Sequence, residues 1–257
     1  MTANLLDLTG RRILVTGASA DSDIGRTIAM TLAGQGARLV LVGRRAEALE
    51  ETRALLPDPD GHRVAPFDLT TLDAIPGWMK ELASGGGPLD GLVHSASIQG
   101  YTVLRTMSAA DIDRYFRLNT GAAAMLARGF QQKGVAPPGG GAIVYIGSVA
   151  GLAGQKGRSL YAASKAGLTA LAQSLALELA DRRIRVNVIA PAVVLGRQAE
   201  RQFAMLPPVQ RAALDAAHPL GYGTPEDVAA AAAFLLAGTG RWITGVTLPV
   251  DGGYRAG

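Results

Sequence analysis

Three residues in one short stretch carry groups that can hold a carbonyl oxygen and move a proton. Tyr161 and Lys165 lie four positions apart in the run YAASK, and Ser148 precedes the tyrosine by thirteen residues. In a helix, positions i and i+4 share a face, so the phenol and the ammonium point into the same cleft. A cation beside the phenol stabilises the phenolate and lowers its pKa from about 10 toward neutrality. With Ser148 holding the oxygen, the pattern predicts interconversion of a ketone and an alcohol.

An alternation of strand-like and helical segments along the whole chain must position these residues. Such alternation predicts an α/β fold, a doubly wound parallel sheet of the Rossmann type, with the site at the carboxyl ends of the strands. The predicted strands cover residues 12–16, 38–43, 62–67, 91–95, 142–147, 184–189 and 246–250. We expect a single domain over residues 1–257, with a small lid region near 191–224.

The lid region is the longest irregular part of the sequence, and it has two interpretations of equal weight. It is either ordinary helix packing or a mobile lid over the substrate, since long loops in compact domains are often lids. Its apolar residues are Val193, Val194, Leu195, Phe203, Met205 and Leu206.

Composition excludes several classes of protein. The chain has 257 residues, a formal charge of +4 and no cysteine, so neither disulfide nor thiolate chemistry is available. No segment approaches the roughly 18 apolar residues of a membrane span, and the N-terminus lacks the pattern of a signal peptide. The basic residues are scattered, so nucleic-acid binding is not expected. We expect a cytoplasmic protein without a metal site.

Further motifs occur in a specific order along the chain. They are ILVTGAS (13–19), DLT (68–70), LVHSAS (92–97), Asn119, Ser148, YAASK (161–165), RVNVIAP (185–191), TPEDVA (224–229) and VDGG (250–253). With them the chain resembles, nearly from end to end, the short-chain dehydrogenase/reductase family, and its pattern is closest to 3-oxoacyl-(acyl-carrier-protein) reductases. The resemblance implies hydride transfer between a nicotinamide cofactor and a ketone or secondary alcohol.

The resemblance also implies a role for each of four catalytic residues. Tyr161 gives or takes the hydroxyl proton, Lys165 lowers its pKa and binds the nicotinamide ribose, and Ser148 orients the carbonyl oxygen. Asn119 matches the fourth member of the set, which holds a helix kink and a water that relays protons to Lys165.

The glycine loop at 16–25 follows a strand and opens a helix, where backbone amides and the helix dipole favour a pyrophosphate. Asp23 stands where the family usually has a glycine, and the loop is two residues longer, as in the divergent enoyl-reductase branch. Asp23 either caps the helix or repels the phosphate. The spacing of Tyr161 and Lys165 is nevertheless that of ketoreductases. By resemblance, the cofactor contacts in this loop are Gly17, Ser19, Asp23, Ile24 and Gly25.

Arg44, directly after the second predicted strand, bears on the choice of cofactor. A carboxylate at this point would favour NAD, whereas an arginine can pair with the 2′-phosphate of NADP. NADP (NADPH) is therefore favoured over NAD, although Arg44 is alternatively a solvated surface residue. By resemblance, the other cofactor contacts are Asp68 and Leu69 at the adenine, Ser95 and Ala96 at the ribose, Tyr161, Lys165, Pro191 and Val194. His94 is expected to be structural rather than a catalytic base.

Three functions fit these residues. The preferred one is NADPH-dependent reduction of a 3-oxoacyl thioester or related ketone, with a small-molecule or carrier-bound substrate. The alternatives are a sugar, polyol or cyclic alcohol dehydrogenase and, in a different class, a non-catalytic dinucleotide-binding protein. Lys156 and Arg158 either contact an anionic carrier or carboxylate, or belong to a solvated loop.

The resemblance finally implies a homotetramer, built through helices near 108–131 and 159–180 and through the C-terminal segments. The stretch 168–179 carries Leu or Ala at most positions, so the helix must be buried on more than one side. We expect Tyr254 near the C-terminus to reach a neighbouring subunit. The alternative is that segment 192–218 covers the helix within one subunit.

Overall fold

The computed structural model describes residues 4–196, 200, 203 and 207–256, and its centre is one sheet of seven parallel strands. Their order across the sheet is β3-β2-β1-β4-β5-β6-β7, so the winding direction reverses between β1 and β4. This topology confirms the predicted doubly wound parallel sheet. The strands are β1 (Arg12–Thr16), β2 (Arg38–Gly43), β3 (Arg63–Pro66), β4 (Gly91–His94), β5 (Gly141–Ile146), β6 (Ile184–Pro191) and β7 (Thr247–Val250).

Helices cover both faces of the sheet, because successive strand residues point to opposite sides and both sides are apolar. The helices are α1 (Asp23–Gly34), α2 (Ala46–Arg53), α3 (Ile75–Ser84), α4 (Ala109–Phe116), α5 (Ala122–Phe130), α6 (Ser159–Glu178), α7 (Pro208–Ala216) and α8 (Pro225–Leu236). Leu14 packs into the core beneath α3, α5 and α6, whereas its neighbour Val15 packs into the core beneath α1 and α8.

Most strand ends lie within one residue of the predicted positions, and two larger differences have physical reasons. β6 runs two residues beyond its predicted end, because Ala190 and Pro191 still pair with β7. The long helix expected near 108–131 is interrupted, since a π-helical turn at Arg117–Gly121 separates α4 from α5. Such turns frequently occur at functional sites, and this one contains Asn119.

The described part of the predicted lid region contains α7 and an isolated bridge between Val194 and Gly223. Phe203 packs edge-on against Tyr222, with ring centres 4.9 Å apart. Met205 and Leu206, also assigned to the lid, lie outside the described residues. Within the described ranges, no helix combines the length and the apolar character needed to cross a membrane. The extent of a single domain stays a prediction.

Candidate active site

The carboxyl ends of β1, β4, β5 and β6 lie along one edge of the sheet, and the predicted site residues follow them. Ser148 comes two residues after β5, and Tyr161 and Lys165 lie in the first two turns of α6. Tyr161 is 7% exposed and Lys165 is 4% exposed. The Lys165 Nζ lies 5.9 Å from the centre of the Tyr161 ring. The phenol and the amine therefore share the buried face of α6, as their spacing predicts.

Burial dominates the acidity of Tyr161 and raises its pKa above the ordinary value. The Ser148 hydroxyl, as a hydrogen-bonding neighbour, and the positive charge of Arg158 act in the opposite direction and lower this pKa. The Arg158 Cζ lies 4.8 Å from the centre of the Tyr161 ring. Tyr161 is therefore a protonated phenol at neutral pH in this environment, and a hydroxyl and a guanidinium moderate the effect of burial.

Lys165 differs from the expectation that it supplies the charge that lowers the pKa of Tyr161. Its Nζ donates a hydrogen bond to the Ile146 carbonyl oxygen at 2.7 Å, at the end of β5. Desolvation lowers the pKa of Lys165 from 10.5 to about 7. The physical reason for the difference is desolvation, because burial disfavours the charged form of the amine near neutral pH even though the Ile146 carbonyl accepts its hydrogen bond.

Asn119 connects the π-helical turn to the loop after β4 and to α6. Its Oδ1 accepts a hydrogen bond from the Ile98 amide at 2.8 Å, and its Nδ2 donates to the Ile98 carbonyl and to Ser164 Oγ, both at 2.9 Å. Ser164 in turn donates to the Tyr161 carbonyl oxygen at 2.8 Å. Thr120 donates to the Ser164 carbonyl at the same distance. This fully hydrogen-bonded buried network fixes the turn of α6 that carries Tyr161.

Thr16, the last residue of β1, holds the segment that was predicted to lie beside the cofactor ribose. Its hydroxyl accepts hydrogen bonds from the Ser95 and Ala96 amides at 3.1 and 3.2 Å, and it lies 2.9 Å from His94 Nδ1. Because both amides donate to the Thr16 oxygen, the Thr16 hydroxyl proton points to His94 Nδ1. The neutral imidazole of His94 therefore carries its own proton on Nε2. Burial, and then the charge of Lys165, lower the pKa of His94 to about 3. His94 is therefore a buried neutral ring that contacts Thr16, the Leu118 backbone and the edge of the Tyr145 ring, which matches the structural role expected for it.

The glycine loop has the shape that a dinucleotide requires. A Cβ at Gly25 would collide with the Gly17 carbonyl oxygen, and a Cβ at Gly17, whose φ is +68°, would lie 2.7 Å from the Ala96 amide nitrogen. Both glycines thus allow backbone segments to approach where no side chain would fit. Ser19 lies at the turn, close to Gly43 at the end of β2. The first turn of α1 opens from this loop, so its amides and dipole favour a pyrophosphate there.

Asp23 occupies the first position of α1 rather than its cap. Ser22 is the N-cap residue, and Asp23 stands in the first turn, where a carboxylate interacts favourably with the helix dipole. The Asp23 side chain lies directly against Gly196, since a Cβ at Gly196 would collide with the carboxylate. Of the two expectations for Asp23, helix capping is therefore wrong, and the carboxylate faces the start of the predicted lid region. Ile24 beside it packs against the apolar core.

The charges at the end of β2 are distributed unevenly. Arg45 pairs with Asp21 at 2.7 Å, whereas Arg44 is exposed and forms no ion pair within the described ranges. The Asp68 carboxylate accepts hydrogen bonds from the Thr70 amide and hydroxyl at 2.9 and 2.8 Å. These bonds, with a smaller contribution from the charge of Arg44, lower the pKa of Asp68. Arg44 is thus the cation at this strand end that is available to a phosphate.

The remaining predicted cofactor contacts differ in their accessibility. Leu69 is 4% exposed, and its side chain belongs to the core rather than to an open adenine site. Pro191 ends β6 in a buried position, and Val194 is half-buried against the same core as Ile24. The structure therefore brings most of the predicted residues to one edge of the sheet, but leaves Leu69 with little surface for a ligand.

Sequence reasoning missed Thr16 and Ser164. Thr16 lies in the TGAS run and Ser164 within YAASK, so both were inside motifs quoted for other residues. A threonine at a strand end and a small hydroxyl residue one turn after Tyr161 are both ordinary. Only their hydrogen bonds to Ser95, Ala96 and Asn119 reveal what they hold in place.

The chain is similar to known proteins along nearly its whole length. A family model described as enoyl-(acyl carrier protein) reductase matches residues 17–255. The chain is 36% identical over 250 residues to the 3-oxoacyl-[acyl-carrier-protein] reductase FabG of Rickettsia prowazekii (strain Madrid E), covering 97% of this chain and 98% of that protein. It is 35% identical over 250 residues to the cis-4-hydroxycyclohexanecarboxylate dehydrogenase of Sinomonas cyclohexanicum, covering 96% and 97%.

A solved structure shares the backbone fold of this chain. The crystal structure of a candidate 2-deoxy-D-gluconate 3-dehydrogenase from Agrobacterium tumefaciens, with bound NADP, superposes with a TM-score of 0.89. It is 30% identical and covers 99% of this chain and all of that one.

Proposed function

The chain belongs to the short-chain dehydrogenase/reductase family and is an oxidoreductase that uses a nicotinamide cofactor, and from this premise we propose that it reduces ketones with NADPH through Tyr161, Ser148, Lys165 and Asn119. One observation carries the proposal: the Tyr161 phenol is buried beside the Ser148 hydroxyl, on a helical turn that the Asn119 network holds.

The residues fit a bound dinucleotide, and each has a defined task. Gly17, Gly25 and the first turn of α1 would hold the pyrophosphate, and Arg44 a 2′-phosphate. A bound nicotinamide supplies or accepts the hydride. Ser148 donates a hydrogen bond to the substrate oxygen, so that the carbonyl is polarised and fixed in direction.

Tyr161 performs the proton transfer. In reduction its hydroxyl donates the proton to the substrate oxygen, and in oxidation the phenolate accepts it. Because burial raises the pKa of Tyr161, the protonated form that reduction needs is the stable one at neutral pH. Lys165, with its pKa lowered to about 7, is poised to exchange a proton in the same cleft, and Asn119 keeps α6 in register with the loop after β4.

Two substrate classes have support from relatives. The FabG relative is named for 3-oxoacyl groups on acyl carrier protein, which supports a carrier-bound thioester. The relative named for cis-4-hydroxycyclohexanecarboxylate and the structure named for 2-deoxy-D-gluconate support a small cyclic alcohol or sugar acid. A non-catalytic binding protein is disfavoured, because it has no need for the four assembled groups.

Oxidation of NADPH with a substrate panel tests the proposal. The panel contains an acetoacetyl thioester, a cyclic ketone, a keto sugar and a 2-enoyl thioester. We expect turnover of at least one ketone and none of the enoyl thioester. Turnover of the enoyl thioester alone would replace ketone reduction by reduction of a carbon–carbon double bond, and no turnover of any member would favour the binding protein.

The preference for NADP over NAD depends on Arg44. Its replacement by alanine removes a charge-assisted contact to the 2′-phosphate, so kcat/KM for NADPH should fall about 10-fold or more while that for NADH changes little. Arg38, exposed at the other end of β2, is the control position for a lost surface charge. Equal losses for both cofactors in Arg44→Ala, or better wild-type activity with NADH, would contradict the assignment.

We also propose that the working assembly is a homotetramer in the cytoplasm. The outward face of α6 supports the assembly, because Ala163, Ala170 and Leu177 are exposed on it in the single chain. The lack of cysteine suits a reducing compartment.

A further inference from the structure

We infer that Arg158 binds a carboxylate carried by the substrate itself, so that the preferred substrate is a small keto acid or the corresponding hydroxy acid. The inference rests on the proposed function, because it places the anion beside the reacting oxygen at Tyr161. The inference favours a small cyclic alcohol or sugar acid over a carrier-bound thioester as the substrate.

Arg158 is held between two aromatic rings rather than extended into solvent. Its Cζ lies 4.8 Å from the centre of the Tyr161 ring and 5.3 Å from that of Tyr101. Cation–π contacts with two rings restrain the position of the guanidinium, and a restrained guanidinium suits a bidentate anion site. The guanidinium consequently lies close to the phenol of Tyr161.

The charge of Arg158 has no anionic partner in the part of the chain that the structure describes. No carboxylate lies within ion-pair distance, and its Nε is buried without a hydrogen bond. The guanidinium donates one hydrogen bond, from Nη1 to Gln155 Oε1 at 3.2 Å. A half-buried cation with unused donors beside a reactive group is a ready site for a carboxylate, since an unpaired buried donor is costly.

The neighbouring backbone fixes Arg158 in this place. Gly157 has a φ of +73°, and a Cβ there would lie 3.3 Å from the Tyr101 ring, so glycine lets the ring come close. The Thr102 amide donates to the Gly157 carbonyl at 2.7 Å and joins the loop after β4 to the start of α6. Arg158 is also the N-cap residue of α6, and no side chain caps that end. The positive end of the helix dipole therefore adds to the guanidinium charge.

The closeness of Arg158 to Tyr161 also indicates the kind of anion. In an acyl thioester the carboxyl group is neutral, and the nearest charge on a carrier arm lies many bonds from the carbonyl. A free carboxylate a few bonds from the ketone can reach Arg158 while the ketone oxygen reaches Tyr161 and Ser148. The geometry thus fits a compact acid better than a carrier-bound chain.

Matched acid and ester pairs test the inference. The probes are 4-oxocyclohexanecarboxylate and acetoacetate, each with its methyl ester, assayed with NADPH. We expect wild type to prefer each acid by at least about 10-fold in kcat/KM. Arg158→Gln, which keeps hydrogen-bonding groups but removes the charge, should lower kcat/KM for the acid about 10- to 100-fold and for the ester less than about 3-fold.

Lys156→Gln is the matched control, because Lys156 is an exposed cation two residues away. It should leave the preference for the acid unchanged. A wild type that treats acid and ester alike, or an Arg158→Gln variant that loses both equally, would overturn the inference while the proposed function stands. Equal loss would mean that Arg158 acts only through Tyr161.

A binding measurement separates failure of the inference from failure of the proposed function. Isothermal titration of the NADP-loaded protein with 4-hydroxycyclohexanecarboxylate needs no turnover. Binding that is lost in Arg158→Gln and kept in Lys156→Gln supports the carboxylate site even if no probe is reduced. If neither these probes nor any ketone of the substrate panel is reduced, the proposed function fails on its own, and if Arg158→Gln binds like wild type, the inference fails.

Discussion

Tyr161 and Lys165 share one face of α6, and burial moves their pKa values in opposite directions. It raises that of the phenol and lowers that of the amine, so each is pushed toward its neutral form. Ser148 and Arg158 oppose the shift at the phenol. At the residue scale, the raised pKa keeps Tyr161 protonated near neutral pH, so the proposed mechanism expects it to donate a proton there and to need alkaline pH for the phenolate that oxidation uses.

Replacement of Tyr161 by phenylalanine tests the proton transfer. The ring still packs beside Arg158, but the hydroxyl is lost, so kcat should fall at least about 100-fold while the Kd for NADPH changes little. Single-turnover kinetics and cofactor fluorescence measure the two quantities. A variant that keeps more than half of the wild-type kcat would remove Tyr161 from the mechanism.

Replacement of Lys165 by methionine tests its burial. Between pH 7 and 10.5 the unfolded chain binds a proton at Lys165 that the folded chain lacks, so this residue makes wild-type stability rise with pH across that window. Below it, the folded protein bears the full cost of a buried cation. Methionine removes that cost, although the Ile146 carbonyl loses its hydrogen bond.

The gain in Tm from Lys165→Met should therefore be larger at about pH 6 than at about pH 9, by roughly 3 °C or more. Calorimetry of both proteins at the two pH values gives the difference directly. A gain that is independent of pH, or larger at the higher pH, would show that Lys165 is not desolvated in the folded protein.

At the element scale, a hydrogen-bonded turn and a close backbone contact bring the parts of the site together. The π-helical turn at Arg117–Gly121 directs Asn119 toward Ile98 and Ser164, which ties α6 to the loop after β4. The start of α1 lies so close to the end of β1 that Gly25 meets the Gly17 carbonyl. Both arrangements depend on the local backbone path more than on the charge of any side chain.

Two glycines of α1 provide a matched test of the close contact. Gly25→Ala should reduce affinity for NADPH at least about 10-fold and lower Tm, because its Cβ has no space beside Gly17. Gly34→Ala, at the other end of the same helix, has open space around its Cβ. It should leave the affinity unchanged and keep or raise Tm, since alanine is the better helix former. Equal effects of the two changes would refute the tight approach.

At the scale of the whole molecule, some large apolar side chains remain on the surface of the single chain. Leu177 on α6 is 83% exposed and Trp242 before β7 is 90% exposed. Tyr254, by contrast, packs against His218 of its own chain, with ring centres 4.9 Å apart, and its expected contact with a neighbour stays a prediction. The outward face of α6 also carries Gln173 and Glu178, and is therefore less apolar than the sequence suggested.

Light scattering tests the tetramer. The wild-type mass at micromolar concentration should be about four times the 26.5 kDa of the chain. Leu177→Glu should shift it toward smaller species, because a charge would be buried in the α6 contact. Val209→Glu, on α7 and 82% exposed, is the control and should stay tetrameric. A monomeric wild type would refute the assembly, and a tetrameric Leu177→Glu would exclude Leu177 from its contacts.

The sequence by itself determined the doubly wound sheet and the shared face of Tyr161 and Lys165. The shared face follows from helical periodicity within one segment, and the sheet follows from the alternation of strand-like and helical segments along the chain. Only the tertiary structure decided that Lys165 turns to Ile146, that Leu69 is buried, and that Arg158 lies between Tyr101 and Tyr161. These features depend on contacts between segments that are distant in sequence and on the burial of side chains away from water. No local pattern of residues specifies such contacts or such burial.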